Sequence, residues 1–203
     1  MENASPSLLL SMTDGITLGS ARAIRWAAVV FVTVLTAAAA QVSVPLPFTP
    51  VPLTLQPMVV LLAGAALGSR LGFSSQVLYL LVGLAGLPVF AASPLLPQGA
   101  LRLIGPTGGF LMAYPLAAFV AGRLAERGFD RRYLTSVAAM AAGLAVIFAS
   151  GLSWLTIQLT PAVGAQALQT ALQTGLYPFI VADVVKLFVA GAVLPGVWKL
   201  IGR

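Results

Sequence analysis

The chain of 203 residues has no cysteine, no histidine and only five acidic residues. The lack of cysteine and histidine excludes disulfides, thiolate or imidazole metal sites, Ser-His-Asp triads and Cys-His pairs within the chain. The sequence also has no Gly-x-x-x-x-Gly-Lys-Ser/Thr segment, so it lacks the usual phosphate-binding loop for ATP. Energy from ATP, if the protein uses it, must therefore come from a partner protein.

What the chain has in abundance is apolar side chains. Hydrophobic residues make up 59% and charged residues 8% of the sequence, with a mean hydropathy of +1.00, whereas soluble proteins are about 25% charged. A hydrocarbon core about 30 Å thick requires about 20 residues per helix, so the chain has room for roughly six spans with short loops. We therefore predict an all-α integral membrane protein.

Proline, glycine and arginine interrupt the apolar runs and set the predicted helix boundaries. The six predicted transmembrane helices are residues 23–43, 54–69, 72–91, 107–124, 133–158 and 177–199. Residues 23–203 thus form one six-helix transmembrane domain. Residues 1–22 do not show the pattern of a cleaved signal peptide, and we expect them to be a disordered or interfacial lead-in.

The basic residues indicate how these helices are oriented. Nine of the eleven flank the predicted spans on one side of the membrane, Lys186 lies within a span, and Arg102 alone is on the other side. By the positive-inside rule both termini then lie in the cytoplasm, which predicts a multi-pass protein of a bacterial cytoplasmic membrane. We accordingly assign the net charge of +6 to contact with anionic membrane lipid and expect no nucleic-acid partner.

The connections on the outer side are more elaborate than those on the inner side. Residues 43–57 contain five prolines, which favour an extended, semi-rigid segment that lies over another part of the protein. Residues 92–109 are too long and too apolar for a plain solvated linker, and residues 164–175 place three glutamines on one stripe of a short amphipathic helix that ends at Gly175. This asymmetry predicts a ligand that arrives from outside.

Asp183 and Lys186 are the acid and base placed together within an apolar run long enough to cross a bilayer. A charge at the centre of a membrane helix costs roughly 2.5 to 3.5 kcal/mol on insertion scales, so such residues usually have a partner or a function. Positions i and i+3 share a helix face, so the two side chains can form a structural ion pair or face one cavity together. A carboxylate accepts N–H bonds and an ammonium donates to a carbonyl, which fits a cyclic urea or amide.

Other residues are candidates for the rest of such a ligand. Arg102 and the helix start after Gly105-Pro-Thr-Gly-Gly109, with Thr107 near the cap, can attract a carboxylate; the alternatives are an interfacial anchor and a simple turn with a cap. Aromatic residues near the outer level can line the apolar part of the ligand or belong to the core and the aromatic belt. They are Phe48, Tyr114, Trp154 and Tyr177, and weaker polar candidates are Gln56 and Gln98.

Four segments of the chain resemble the BioY family, the biotin-binding S components of energy-coupling-factor transporters. They are Phe48-Thr-Pro-Val-Pro-Leu-Thr-Leu-Gln56, Gly83-Leu-Ala-Gly-Leu-Pro-Val89, Gly105-Pro-Thr-Gly-Gly-Phe110 and Tyr177-Pro-Phe-Ile-Val-Ala-Asp-Val-Val-Lys-Leu187. Together with the six-span layout they cover the whole chain. Their occurrence in this order is a far more specific signal than any one of them alone.

The resemblance implies six helices with both termini in the cytoplasm, a biotin site near the outer face and a first outer loop that acts as a lid. It implies that Asp183 meets the ureido N–H groups of biotin and Lys186 its carbonyl. It also implies three partner subunits, namely a transmembrane coupling subunit and two ATP-binding-cassette ATPases. Some family members carry a basic residue where this chain has Leu111, which leaves Arg102 as the candidate for the ligand carboxylate.

The resemblance further implies a contact with the coupling subunit through small residues of the first helix, for which this chain offers Ala23 and Ala27. Two alternatives stay open: uptake by the chain without an ATPase module, and ion-coupled secondary transport of biotin or a related small carboxylate with Asp183 as the coupling group. We expect no enzyme and no cofactor, because rhomboid-type chemistry needs a histidine and an aspartyl mechanism needs a second intramembrane aspartate.

Overall fold

Helices form most of the structure, a computed structural model that describes residues 7–12, 17–93 and 96–200. The helices in this part of the chain are α1 (Leu8–Met12), α2 (Leu18–Gln41), α3 (Gln56–Leu67), α4 (Ser69–Leu84), α5 (Ala100–Ile104), α6 (Gly108–Met112), α7 (Tyr114–Ala125), α8 (Tyr133–Val163), α9 (Ala167–Gly175) and α10 (Tyr177–Leu200). Single 3-10 turns at Phe129–Arg131 and Gly164–Gln166 precede α8 and α9. The strands β1 (Ser43–Val44) and β2 (Leu53–Thr54) pair antiparallel, with Ser43 opposite Thr54.

Four helical segments of the described chain are long and apolar enough to cross a membrane. They are Gly19–Gln41, Gly108–Ala125, Tyr133–Gly175 and Tyr177–Leu200. This confirms the predicted class, a mostly helical protein with several membrane spans. The predicted spans 54–69 and 72–91 correspond to α3 and α4, which have only 12 and 16 residues.

Several predicted boundaries are wrong for local reasons. The span predicted to end at residue 91 ends at Leu84, because Gly86 adopts a left-handed conformation with φ of +93° and Pro88 follows it. The predicted span 107–124, by contrast, agrees with the segment Gly108–Ala125, although a turn at Ala113 divides that segment into α6 and α7. Helix α8 continues to Val163, five residues beyond the predicted end, with Pro161 in its last turn.

Proline marks the starts of three helices that border the candidate site. Pro57, Pro115 and Pro178 are each the second residue of α3, α7 and α10. Proline is tolerated in the first helical turn because the N–H it lacks has no intrahelical acceptor there. Each proline therefore marks the start of its helix without loss of a backbone hydrogen bond.

Close helix packing depends on small residues in α3 and α7. A Cβ on Gly64 would lie 2.2 Å from the carbonyl oxygen of Ala118, so the two helices approach with no room for a side chain. Ala117, Ala118 and Ala121 are fully buried along the same contact. Large apolar side chains on the outer faces of α2 and α10 stay exposed, as expected for helices that face lipid.

The predicted lead-in is partly helical. Residues 1–6 and 13–16 lie outside the described residues, whereas α1 and the first turns of α2 fall within residues 1–22. The predicted amphipathic helix is present as α9, which ends at Gly175 and buries Ala167 and Ala171. Its glutamines Gln169 and Gln173 are exposed.

A second polar cluster lies at the opposite end of the bundle, before α8. The indole Nε1 of Trp198 donates to Oδ2 of Asp130 over 2.6 Å, and the Arg131 guanidinium lies 3.7 Å from the centre of the Trp198 ring. Asp130 is only 1% exposed. The cluster thus joins the end of α10 to the turn between α7 and α8.

Candidate binding site

Two adjoining cavities lie between the hairpin segment (residues 43–54) and the helix starts beneath it. The empty space between the atoms of the two cavities, including space open to solvent, is about 330 Å³ and about 410 Å³. Both cavities are lined by Val51, Pro52, Thr54, Phe110 and Tyr114. Because they share these walls, we treat them as one chamber. The first cavity ends at Gln56, Arg102 and Thr107, and the second ends at Asp183 and Lys186.

The acid–base pair of α10 faces this chamber. Lys186 Nζ lies 2.7 Å from Asp183 Oδ1, and their side chains are 14% and 8% exposed. The pair joins helix positions i and i+3, as the sequence predicted. Both side chains line the second cavity together with Phe179, which precedes Asp183 by one turn.

Lys186 also holds the hairpin segment. Its Nζ donates a second hydrogen bond of 2.7 Å to the carbonyl oxygen of Thr54. Between the two strands of the segment, Thr49 Oγ1 donates to the Thr174 carbonyl at 2.5 Å. The proline-rich connection is therefore fastened over the chamber at two points, one of which is the charged pair itself.

Arg102 and Thr107 form the other polar end. Arg102 is 1% exposed, and its guanidinium donates to the backbone carbonyls of Leu96, at 3.2 Å, and Ala91. No carboxylate of the described residues forms an ion pair with it. The hydroxyl of Thr107 is also buried, and it makes no hydrogen bond within that part of the chain. A buried cation without an anion, beside a free hydroxyl, is suited to a carboxylate ligand.

Gln56 is oriented by a residue that the sequence analysis did not identify. Its Nε2 donates to the Tyr79 hydroxyl at 2.6 Å, and that hydroxyl donates to the Val89 carbonyl at 3.1 Å. Tyr79 is fully buried and stacks near Tyr114, with ring centroids 6.4 Å apart. Nothing in the sequence distinguishes Tyr79 from a core aromatic residue.

The other predicted candidates differ in their positions. Tyr114 is buried and lines both cavities, as expected. Tyr177 is 59% exposed and Phe48 is 61% exposed, and neither lines the chamber. Trp154 does not line the chamber, but its Nε1 donates to the Gly105 carbonyl at 2.9 Å and so holds the segment that carries Thr107.

Gln98 and the alanines of α2 lie away from the chamber. Gln98 lies outside the chamber lining and donates to the Phe90 carbonyl at 3.2 Å. Ala23 and Ala27, predicted to meet a partner subunit, are both exposed on α2. Their role in such a contact stays a prediction.

The chamber offers complementary chemistry along its length. One end presents a carboxylate and an ammonium, the middle is lined by aromatic and aliphatic side chains, and the far end presents a guanidinium and a hydroxyl. This arrangement fits an elongated ligand with a group that both donates and accepts hydrogen bonds, an apolar body and an anionic end.

The family model and two similar curated relatives all indicate the same family. The model of the BioY family matches residues 11–203. A probable biotin transporter BioY of Pyrococcus horikoshii is 44% identical over 152 residues, which are 75% of this chain and 82% of the relative. The biotin transporter BioY of Thermotoga maritima is 37% identical over 155 residues, which are 76% and 85% of the two chains.

The fold also matches a solved structure. The crystal structure of an S-component for biotin from an ECF-type ABC transporter superposes with a TM-score of 0.76, covering 91% of this chain and 95% of that chain at 24% identity. This match concerns the fold, which is that of an S component.

Proposed function

The chain belongs to the BioY family, and on that premise we propose that its chamber binds biotin and that the protein is the substrate-binding membrane subunit, or S component, of a biotin uptake system. The observation that carries the proposal is the order of groups along the chamber, with the acid–base pair at one end and the buried, unpaired Arg102 at the other. Biotin has the same order of groups: a cyclic urea, an apolar ring and chain, and a carboxylate.

The urea is placed at the pair on α10. Asp183 accepts from the ureido N–H groups, and Lys186 donates to the ureido carbonyl oxygen. An ammonium has three N–H donors, and Asp183 and Thr54 take two of them. The third is available to the ligand without loss of either existing bond.

The carboxylate is placed at Arg102 and Thr107. Two guanidinium donors are used by backbone carbonyls, which fixes the group and leaves other donors for the ligand. Leu111 lines the same cavity but carries no charge, so Arg102 supplies the cation for the carboxylate. Tyr114 lines both cavities and forms a wall between the two ends, and Gln56 lies at the end with Arg102. The exposed side chain of Tyr177 does not contact the ligand.

The proposed setting follows from the basic residues and from the missing ATP-binding loop. The protein spans a bacterial cytoplasmic membrane six times with both termini in the cytoplasm, and α3 and α4 complete the six spans. A transmembrane coupling subunit and two ABC-type ATPases supply the energy. The exposed Ala23 and Ala27 on α2 allow close approach of a partner helix.

Ligand chemistry offers a sharp test of the site. Purified protein is titrated calorimetrically with biotin and with biotin methyl ester, which keeps the urea and lacks the negative charge. We expect Arg102→Gln to weaken biotin binding by about 1.5 to 3 kcal/mol, the usual value for a hydrogen bond to a charged group, and to abolish the preference for the acid over the ester. Asp183→Asn should weaken both ligands equally, because both carry the same urea.

Arg132→Gln, a loss of the same charge at an exposed position, is the matched control and should bind like the unmodified protein. An Arg102→Gln protein that still prefers the acid would remove Arg102 from the carboxylate site. Uptake that collapses with an uncoupler at constant ATP would instead support ion-coupled transport through Asp183. The direct contact of Asp183 with Lys186 supports the binding role, because a coupling carboxylate must exchange its proton.

A further inference from the structure

A groove separate from the chamber lies on the exposed face of the bundle, between α4 and α7. It encloses about 720 Å³ of empty space, including space open to solvent, and is lined by Arg70, Phe73, Ser74, Leu116 and Phe119. None of these residues lines the candidate binding chamber. One end of the groove is basic and the remainder is mostly apolar.

The packing of α4 against α7 brings two arginines to the same end of this groove. A Cβ on Gly122 would lie 2.5 Å from the backbone nitrogen of Ser69, so the end of α7 meets the start of α4 and the helices are antiparallel. Arg123 and Arg70 directly follow these two contact residues. Both arginines therefore lie at the same level of the bundle, where α4 begins and α7 ends.

The charges at this end do not cancel. Arg123 Nη1 lies 3.2 Å from Glu126 Oε2, whereas no carboxylate of the described residues forms an ion pair with Arg70. The other oxygen of Glu126 accepts from the backbone N–H and the hydroxyl of Ser69, at 2.7 and 2.8 Å. Only one of the two guanidinium groups thus has a carboxylate partner, and the end of the groove keeps a positive charge.

The walls beyond the arginines suit a hydrocarbon chain. Phe73, Leu116 and Phe119 are 42%, 53% and 38% exposed, although each is a large apolar side chain. Leu116 precedes Arg123 by seven residues, or about 10 Å along a helix, so the apolar surface continues well below the basic end. The hydroxyl of Ser74 is satisfied by the Arg70 carbonyl at 2.9 Å and adds no polar demand.

We propose that this groove binds one anionic phospholipid, with its phosphate at Arg70 and Arg123 and an acyl chain along Phe73, Leu116 and Phe119. A guanidinium binds a phosphate oxygen pair through two parallel N–H donors, which fixes the headgroup. The lipid is a structural ligand of the α4–α7 pair, distinct from the transported ligand.

Native mass spectrometry of the detergent-purified protein tests this site. Phosphatidylglycerol and phosphatidylcholine with identical acyl chains are added in turn, and bound lipid is counted. We expect one phosphatidylglycerol to bind more tightly than phosphatidylcholine, and Arg70→Gln to weaken that lipid about fivefold, as for one basic residue near an anionic surface. Arg25→Gln, which removes the same charge from the exposed face of α2, should leave it unchanged.

Biotin titration of both variants checks that they are folded, and its outcome is independent of the lipid result. Equal weakening by Arg70→Gln and Arg25→Gln would overturn the proposal in favour of a general charge effect. Equal binding of phosphatidylglycerol and phosphatidylcholine to the unmodified protein would overturn it as well.

Discussion

Replacing Lys186 with methionine tests whether the charged pair of α10 also stabilises the protein without ligand. The change leaves Asp183, 8% exposed, without its cation and frees the Thr54 carbonyl. Breaking a buried pair by removing one partner costs about 3 to 5 kcal/mol. Because the pair borders a chamber, we expect the lower end of this range, about 3 kcal/mol in the free energy of unfolding.

The reverse change should cost less. Asp183→Asn keeps a side-chain oxygen that accepts from Lys186, and Lys186 keeps its bond to Thr54. We expect a loss of about 1 kcal/mol, typical of one weakened hydrogen bond. The double variant Asp183→Asn/Lys186→Met removes both charges and should therefore be more stable than Lys186→Met alone.

Unfolding of the purified protein in detergent micelles with increasing dodecyl sulfate measures these free energies, with Arg132→Met as the exposed control. The reasoning would be refuted by a double variant whose loss equals the sum of the two single losses, because the sites would then be energetically independent. It would also be refuted if Asp183→Asn were the more damaging single change.

Three further changes have defined outcomes in the same unfolding assay. Tyr79→Phe removes the hydroxyl that orients Gln56, so we expect a loss of about 1 to 3 kcal/mol in the free energy of unfolding and weaker biotin binding. Unchanged biotin affinity in the calorimetric titration would contradict this orienting role. Burial raises the pKa of Asp130, so the folded state binds its proton more readily and the stability contributed by Asp130 falls as the pH rises. Asp130→Asn should therefore be more stable than the unmodified protein at pH 8, with an advantage that shrinks toward about pH 4, and a destabilised variant at pH 8 would contradict this. Gly68→Ala should lower the free energy of unfolding by about 1 to 2 kcal/mol, because φ of Gly68 is +85°. Gly196→Ala is the control and should leave it unchanged, because a Cβ there meets open space. Equal effects of the two changes would contradict the backbone explanation.

The sequence predicts the long apolar helices well because length and composition are local properties. Helices α2, α8 and α10 lie close to their predicted ranges for this reason. The turn at Ala113 is not predicted, because nothing in the apolar run around it marks a break. The early end of α4 is not predicted either, because hydrophobicity continues past Gly86 and Pro88, where the helix has already ended.

The candidate site shows the same division. The pairing of Asp183 and Lys186 is predictable, since i and i+3 share a helix face. Periodicity also explains the position of Tyr177: Phe179, one turn before Asp183, lines the chamber, whereas two residues earlier the side chain points elsewhere. The contact of Tyr79 with Gln56 joins residues of two helices, and only the folded structure brings them together.

The bond from Lys186 to the Thr54 carbonyl has a kinetic consequence. The residue proposed to hold the ligand carbonyl also fastens the segment that covers the chamber, so a bound ligand leaves only after this charge-assisted bond has broken. The bond then slows dissociation even where it adds nothing to equilibrium affinity. A scarce nutrient, once captured, would be retained long enough for a slower transport step to follow.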